Sequence, residues 1–240
     1  MVDPKTQAES GVLLVDKPEG WTSHDVVNCV RSRFKVRKVG HCGTLDPAAT
    51  GLLVLVLGRA TKLSNQLSGQ DKRYVGTMRL GVETTTQDRE GDITETREVK
   101  DVDRAQLEEV CDRYRGEIQQ IPPMVSAKKK GGKRLYKLAR KGVEVEREPR
   151  TIVVHELTIQ EVVLPDVQFT LTCSKGTYVR TLCADIGRDL GCGAHLHRLR
   201  RTHSGAFDVA DTYTTDTIKS WEREQLLTHI VPLEKVLASL

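Results

Sequence analysis

Aromatic residues are scarce, 4% of 240 residues, so each of the five tyrosines carries weight when it falls inside a motif. Cysteine is sparse too, and none of the six forms a CxxC pair. The first ten residues, MVDPKTQAES, have neither the apolar core of a signal peptide nor the arginine-rich face of a transit peptide. Reduced thiols in a cytoplasmic protein are therefore expected. The longest apolar run, Leu52 to Leu57, is far short of the roughly 20 residues a membrane helix needs, so no membrane partner is expected. Neither GxGxxG nor GxxxxGK[ST] occurs, which removes support for hydride transfer, phosphoryl transfer and methylation from a nucleotide-like cofactor.

A strong overall charge is also missing: the chain is only +4. What charge there is sits in one place. Between Lys128 and Lys141 the run KKKGGKRLYKLARK carries Lys128, Lys129, Lys130, Lys133, Arg134, Lys137, Arg140 and Lys141 without an acid, leaving the rest of the chain net negative. Such a patch suits a polyanion better than it suits general solubility. A chain of this size can bury a core, and 38% hydrophobic with 29% charged residues is a globular composition.

The pattern along the chain is α+β. GVLLVDK (11–17) reads as a buried strand ended by Pro18-Glu19-Gly20. Thr22 or Ser23 can cap a helix whose buried face is Val26, Val27, Val30 and Phe34. GHCGTLDPAATG (40–51) is a glycine-rich loop that runs into the strand LLVLVL and carries a single acid, Asp46. Residues 72–80 alternate as a half-buried strand, and Leu107, Val110, Cys111 and Tyr114 mark the face of another helix. From Ile121, the prolines, the basic run, Gly131-Gly132 and Gly142 read as an exposed excursion, in which Leu135, Leu138 and Ala139 can form one helical turn. Strands are predicted at 151–163 and 167–173, then a helix from about Tyr178 to Leu190, the basic segment HLHRLRRTH and a polar pair of C-terminal helices.

Two groups invite chemistry. Cys192, His195 and His197 offer a thiol and two imidazoles at close spacing, but the other half of a zinc site is missing and no metal is expected. An aspartate before proline is ordinarily a turn cap. Asp46 is distinguished by its surroundings: His41 five residues earlier, flanking glycines and no second carboxylate of the kind a glycosidase pair requires. A lone carboxylate can act as a nucleophile.

Six ordered blocks, GVLLVDKPEGWTS, GHCGTLDPAATGLLVL, DKRY, IPPMVSA, CSKGTYVRT and GCGAHLHRLRR, resemble the TruB family of tRNA pseudouridine-55 synthases over nearly the whole chain. The resemblance implies a pseudouridine synthase fold, a mixed, mostly antiparallel sheet flanked by helices with a central catalytic cleft. It implies that Asp46 in GTLDP is the nucleophile that lets the uracil detach, rotate and rejoin through carbon, with no cofactor. An aspartate of ordinary pKa, about 3.9, is already ionised for that task. Tyr74 in DKRY would stack on the extruded base, replacing stacking lost on flipping. Arg180 in GTYVRT would pair with Asp46 and favour its charged form. Tyr178 and Leu199 would line the uridine pocket, and His41 would support the opened RNA loop. Attack at C1′, attack at C6 and elimination to a glycal are all compatible with these residues.

The basic stretch from about 124 to 149 matches a family insertion that closes over RNA, so Lys128, Lys129, Lys130, Lys133 and Arg134 are expected on phosphates. Many relatives carry a further C-terminal RNA-binding domain. The expectation here is a single catalytic domain over 1–240 without that addition, acting on the T-arm of tRNA as a stand-alone monomer with no guide RNA. The rival is a non-enzymatic RNA-binding or RNA-folding protein, which needs the basic patch but not Asp46, Tyr74 and Arg180 together. A tRNA-folding role could accompany catalysis.

Overall fold

The computed structural model describes residues 10–100, 102–124, 129–130, 133–134 and 145–238, the two basic strands 129–130 and 133–134 by their backbone alone. Lys128 and the helical turn expected at Leu135, Leu138 and Ala139 lie outside the described residues.

The strands in chain order are β1 (Gly11–Lys17), β2 (Val39–His41), β3 (Thr50–Leu57), β4 (Lys72–Leu80), β5 (Val82–Thr84), β6 (Ile93–Thr96), β7 (Gly116–Gln120), β8 (Lys129–Lys130), β9 (Lys133–Arg134), β10 (Arg150–Val163), β11 (Asp166–Cys173), β12 (Ala194–Ser204), β13 (Phe207–Asp208), β14 (Tyr213–Thr214) and β15 (Val231–Pro232). Pairing is mostly antiparallel and helices flank the strands, the α+β class predicted above. The chain forms two compact units, one of residues 1–74 and 199–240, the other of 75–198.

In the first unit β1 and β3 pair antiparallel, with Val12 opposite Val56 and Leu14 opposite Val54. These residues face a cluster that includes Cys42, Leu52, Ala60, Leu67 and Val236. Their alternates, Leu13, Val15, Leu53, Leu55 and Leu57, are equally buried. Burial on both faces is why LLVLVL is an unbroken apolar run rather than an alternating one. The helix Ser23–Phe34 begins with a capping box: Thr22 accepts from the Asp25 amide at 3.1 Å, and Asp25 accepts from the Thr22 amide at 2.8 Å. It buries Val26, Val27, Val30 and Phe34, the face expected. β14 runs parallel to β1 and β15 antiparallel to it. Among the described residues three short α-helices rather than two follow β13: Thr215–Ser220, Arg223–His229 and Leu233–Ala238.

In the second unit β10 pairs antiparallel with both β11 and β7. Met78, Leu157, Ile159 and Phe169 from the strands meet Cys111 of the helix Arg104–Asp112 and Leu182, Cys183 and Ile186 of the helix Val179–Asp189. Each buried Met, Leu, Ile or Phe among them stabilises the unit by about 1.5–3 kcal/mol. Arg79 clasps Asp166 with two 2.7 Å bonds.

Candidate active site

The Asp46 loop belongs to the first unit and is held through its backbone. Ser23, first residue of its helix, donates its hydroxyl to the Leu45 carbonyl at 3.1 Å and accepts from the Leu45 amide at 2.9 Å. On the other side of Asp46, the Pro47 carbonyl accepts from the Gly20 amide at 2.9 Å and from Lys17 Nζ at 3.1 Å. Lys17 is fully buried, and its ammonium also donates to the carbonyls of Pro18 and Trp21 at 2.9 and 2.6 Å. An ammonium with no exposure requires such partners, since its desolvation is otherwise costly. Both chain neighbours of Asp46 are thus fixed, and the half-buried aspartate is delivered at a set place.

Three other expected site residues share this unit. His41 ends β2, opposite Leu55 of β3. Burial pushes its imidazole pKa below the ordinary value, Arg201 and His24 push the same way, and the Gly43 backbone opposes them. Its Nδ1 is buried and meets no hydrogen-bond partner among the described residues. Leu199 is half-buried and stands just before Arg200 and Arg201, which pair parallel with Thr50 and Gly51 where the Asp46 loop enters β3. Tyr74 is buried at 8% exposure, and the strand start it belongs to is tied to β12 by the Thr202 hydroxyl donating to the Arg73 carbonyl at 3.2 Å.

Tyr178 and Arg180 belong to the second unit. Tyr178 precedes the helix Val179–Asp189 and caps it without its side chain. Instead Gln120, only 3% exposed, accepts from the Tyr178 amide at 2.8 Å and donates to its carbonyl at 3.1 Å. Arg180, in the first turn, is a buried charge rather than a helix-surface one, 4% exposed. Its guanidinium donates to Asp88 Oδ2 at 3.2 Å, and its Cζ is 6.0 Å from the Tyr178 ring centre. Asp88 is buried in turn, and its other oxygen accepts from the Thr86 hydroxyl at 2.5 Å and the Glu90 amide at 3.1 Å. Asp88, Gln120, Lys17 and Arg201 were not singled out from the sequence, and Ser23 was named only as a possible helix cap, a place that Thr22 takes. The clue for Asp88 is an aspartate two residues after a run of three threonines in TTTQDREG, a turn pattern that makes local hydrogen bonds to an aspartate.

His195 Nδ1 lies 3.0 Å from the Val82 carbonyl, and its ring meets that of His197 edge-on at 6.0 Å, while His197 Nδ1 is buried with no hydrogen-bond partner among the described residues. In the basic excursion, Lys129–Lys130 pairs antiparallel with Lys133–Arg134.

Solved structures set the class. A chain in a Cbf5-Nop10-Gar1 complex superposes with a TM-score of 0.75 at 31% identity, covering 100% of this chain and 65% of that one. A chain in an H/ACA RNP bound to a substrate RNA containing 2′-deoxyuridine gives 0.73 at 28%, covering 100% and 64%. This chain therefore spans slightly less than two thirds of those solved chains. The architecture is that of a pseudouridine synthase. The model of the TruB family pseudouridylate synthase N-terminal domain matches residues 31–179, and that of the tRNA pseudouridylate synthase B C-terminal domain matches 180–238. Proteins named tRNA pseudouridine synthase B from Burkholderia pseudomallei strain 668 and Clostridium kluyveri are 48% and 46% identical to it, over 97% and 95% of this chain and 77% of each relative. The chain belongs to the TruB family.

Proposed function

We propose that this chain converts uridine to pseudouridine in tRNA, at the T-loop uridine numbered 55, with Asp46 as nucleophile. The observation that carries this is the Asp46 loop: a single carboxylate whose two chain neighbours are both locked through their backbones. Family membership supports the reaction, and relatives named for tRNA support the substrate.

The reaction is an isomerisation and balances without an added reagent. The bond from N1 to C1′ breaks, the freed uracil turns, C5 bonds to C1′, C5 loses its proton to solvent and N1 ends protonated. Asp46 supplies the electron pair that holds the fragments apart as a covalent adduct, or removes a sugar proton on the glycal route. Arg180, kept in place by Asp88, contributes positive charge where negative charge develops. Tyr74 and Tyr178 offer aromatic faces to the flipped base, Leu199 an apolar wall and His41 a neutral ring to the opened loop. The basic excursion contacts phosphates of the T-arm.

The test is tritium release from transcript labelled at uridine C5, comparing the parent, Asp46→Asn and a transcript with cytidine in place of the T-loop uridine. Release by the parent alone, from the intact transcript alone, is expected. Parent protein that binds the RNA without releasing tritium would instead support the binding-protein reading. Refolding of misfolded tRNA by Asp46→Asn at the parent's rate would separate a folding role from catalysis.

A further inference from the structure

Arg201 is 1% exposed and has the largest of the fully buried side chains. Its guanidinium donates from Nε to the Leu52 carbonyl at 2.7 Å and from an Nη to the Gly43 carbonyl at 3.1 Å. Those two carbonyls lie on either side of Asp46, one where the loop starts and one where it has become β3. Its backbone touches the same segment, pairing with Gly51. Gly51 has φ +97°, and a Cβ there would come within 2.3 Å of the Arg201 carbonyl oxygen. Gly43 has φ +95°, and a Cβ there would stand 3.4 Å from an Arg201 Nη. Gly51 therefore lets the Arg201 backbone approach closely, and Gly43 adopts a positive φ that other residues rarely take.

We propose that Arg201 is a positioning residue for the reaction: its planar fork ties the two ends of the Asp46 loop together and so sets where the carboxylate stands. This rests on the reading of Asp46 as nucleophile. The geometry distinguishes the role from that of a charge merely tolerated in a core. Both side-chain acceptors are backbone carbonyls at the two ends of one loop, and a planar, pre-organised fork fixes the spacing and direction of such a pair more tightly than the rotatable donors of a lysine do. Closing the loop at its base also removes much of the freedom that its other contacts would have to suppress. The positive charge acts on His41 and Cys42 next door, which places it against the loop's entry as well as its exit.

The experiment uses the full chain with Arg201→Lys, which keeps the charge and loses the fork, and Arg201→Gln, which keeps a donor and loses the charge. Single-turnover rates at saturating tRNA transcript, RNA Kd and amide exchange are measured together, alongside the parent and Asp46→Asn. A carboxylate displaced by about 1 Å loses on the order of 10²-fold in rate, so both variants are expected to slow by about 10- to 100-fold. RNA Kd should stay within about 2-fold of the parent, since the buried guanidinium is not a phosphate ligand. Exchange should rise at 43–52 and stay at the parent's level in the helix Ser23–Phe34. A folded variant at the parent's rate overturns the proposal. So does a rate loss matched by lost affinity, a rate loss with 43–52 still protected, or the failure of both variants to fold, which would make Arg201 a core residue only. Residual turnover in Asp46→Asn would sink the nucleophile reading, while exchange at 43–52 judges Arg201 separately.

Discussion

The described contacts around Asp46 and Arg180 differ in kind. Around Asp46 the structure grips backbone, through Ser23 on Leu45, Lys17 on Pro47 and Arg201 on Gly43 and Leu52. Arg180 is gripped by its own charged end, through Asp88. Contacts to neighbouring backbone survive the replacement of a side chain, whereas a charge beside a buried counter-ion is bound into stability. The largest expected effect tests the first half of that contrast. Asp46→Asn should lower turnover by at least about 10³-fold, while its unfolding free energy stays within about 0.5 kcal/mol of the parent. Chemical denaturation and tritium release on the same preparation check it, and a strongly destabilised variant would show that the carboxylate itself supports the loop.

The second half predicts the reverse at Asp88. Its side chain and that of Arg180 are 9% and 5% exposed, so Asp88→Ala leaves a buried guanidinium without this partner. The cost should be about 3–5 kcal/mol, read from urea unfolding, together with a fall in turnover. Adding Arg180→Met should return much of the stability and none of the activity. If stability is not returned, the Asp88 turn matters for its own hydrogen bonds with Thr86 and Glu90 rather than for the ion pair.

That asymmetry also explains what could be read in advance. Segments whose apolar period is complete were legible: the helix Ser23–Phe34, the buried β3, the alternating β4, and the β10 and β11 hairpin all fall within a few residues of their expected limits. The segment HLHRLRRTH was read only as basic, yet it is most of β12, with Arg201 buried inside it. Its charge hides the strand, because a buried arginine is legible only through carbonyls that the fold brings from 149 and 158 residues away. The C-terminal helices are six or seven residues long, too short to complete the repeat that would count them. Asp46, Tyr74, Arg180, Tyr178, Leu199 and His41 came from resemblance to a family's motifs, since each has an ordinary structural reading when taken alone. Asp88 had no such motif, and its partner is 92 residues away.

The basic excursion lies at the other extreme from both gripped residues, for its function would rest on charge rather than on placement. Replacing Lys128, Lys129 and Lys130 with Gln should weaken tRNA binding at moderate salt and flatten the dependence of log K on log salt by about 0.7–0.9 for each phosphate no longer neutralised. The single-turnover rate at saturating RNA should hold. Equal binding by the variant and the parent across several salt concentrations would remove the excursion from the interface.

The smallest effect concerns His41, beside the gripped loop. Its pKa is depressed, first by burial and then by Arg201 and His24. The unfolded chain takes up a proton as pH falls below about 6.5, while folded His41 resists it until lower pH. The unfolded state therefore binds more protons in that window, and stability declines as pH drops from about 6.5 through the folded pKa, by at most about 1.4 kcal/mol per pH unit from this group. Above pH 7 the contribution is level. Denaturant unfolding at pH 7.5, 6.5 and 5.5 should show His41→Asn losing less stability on acidification than the parent does. Equal losses would mean that the imidazole is protonated as readily in the folded chain as in the unfolded one, and that the charge of Arg201 is screened from the entry of the Asp46 loop.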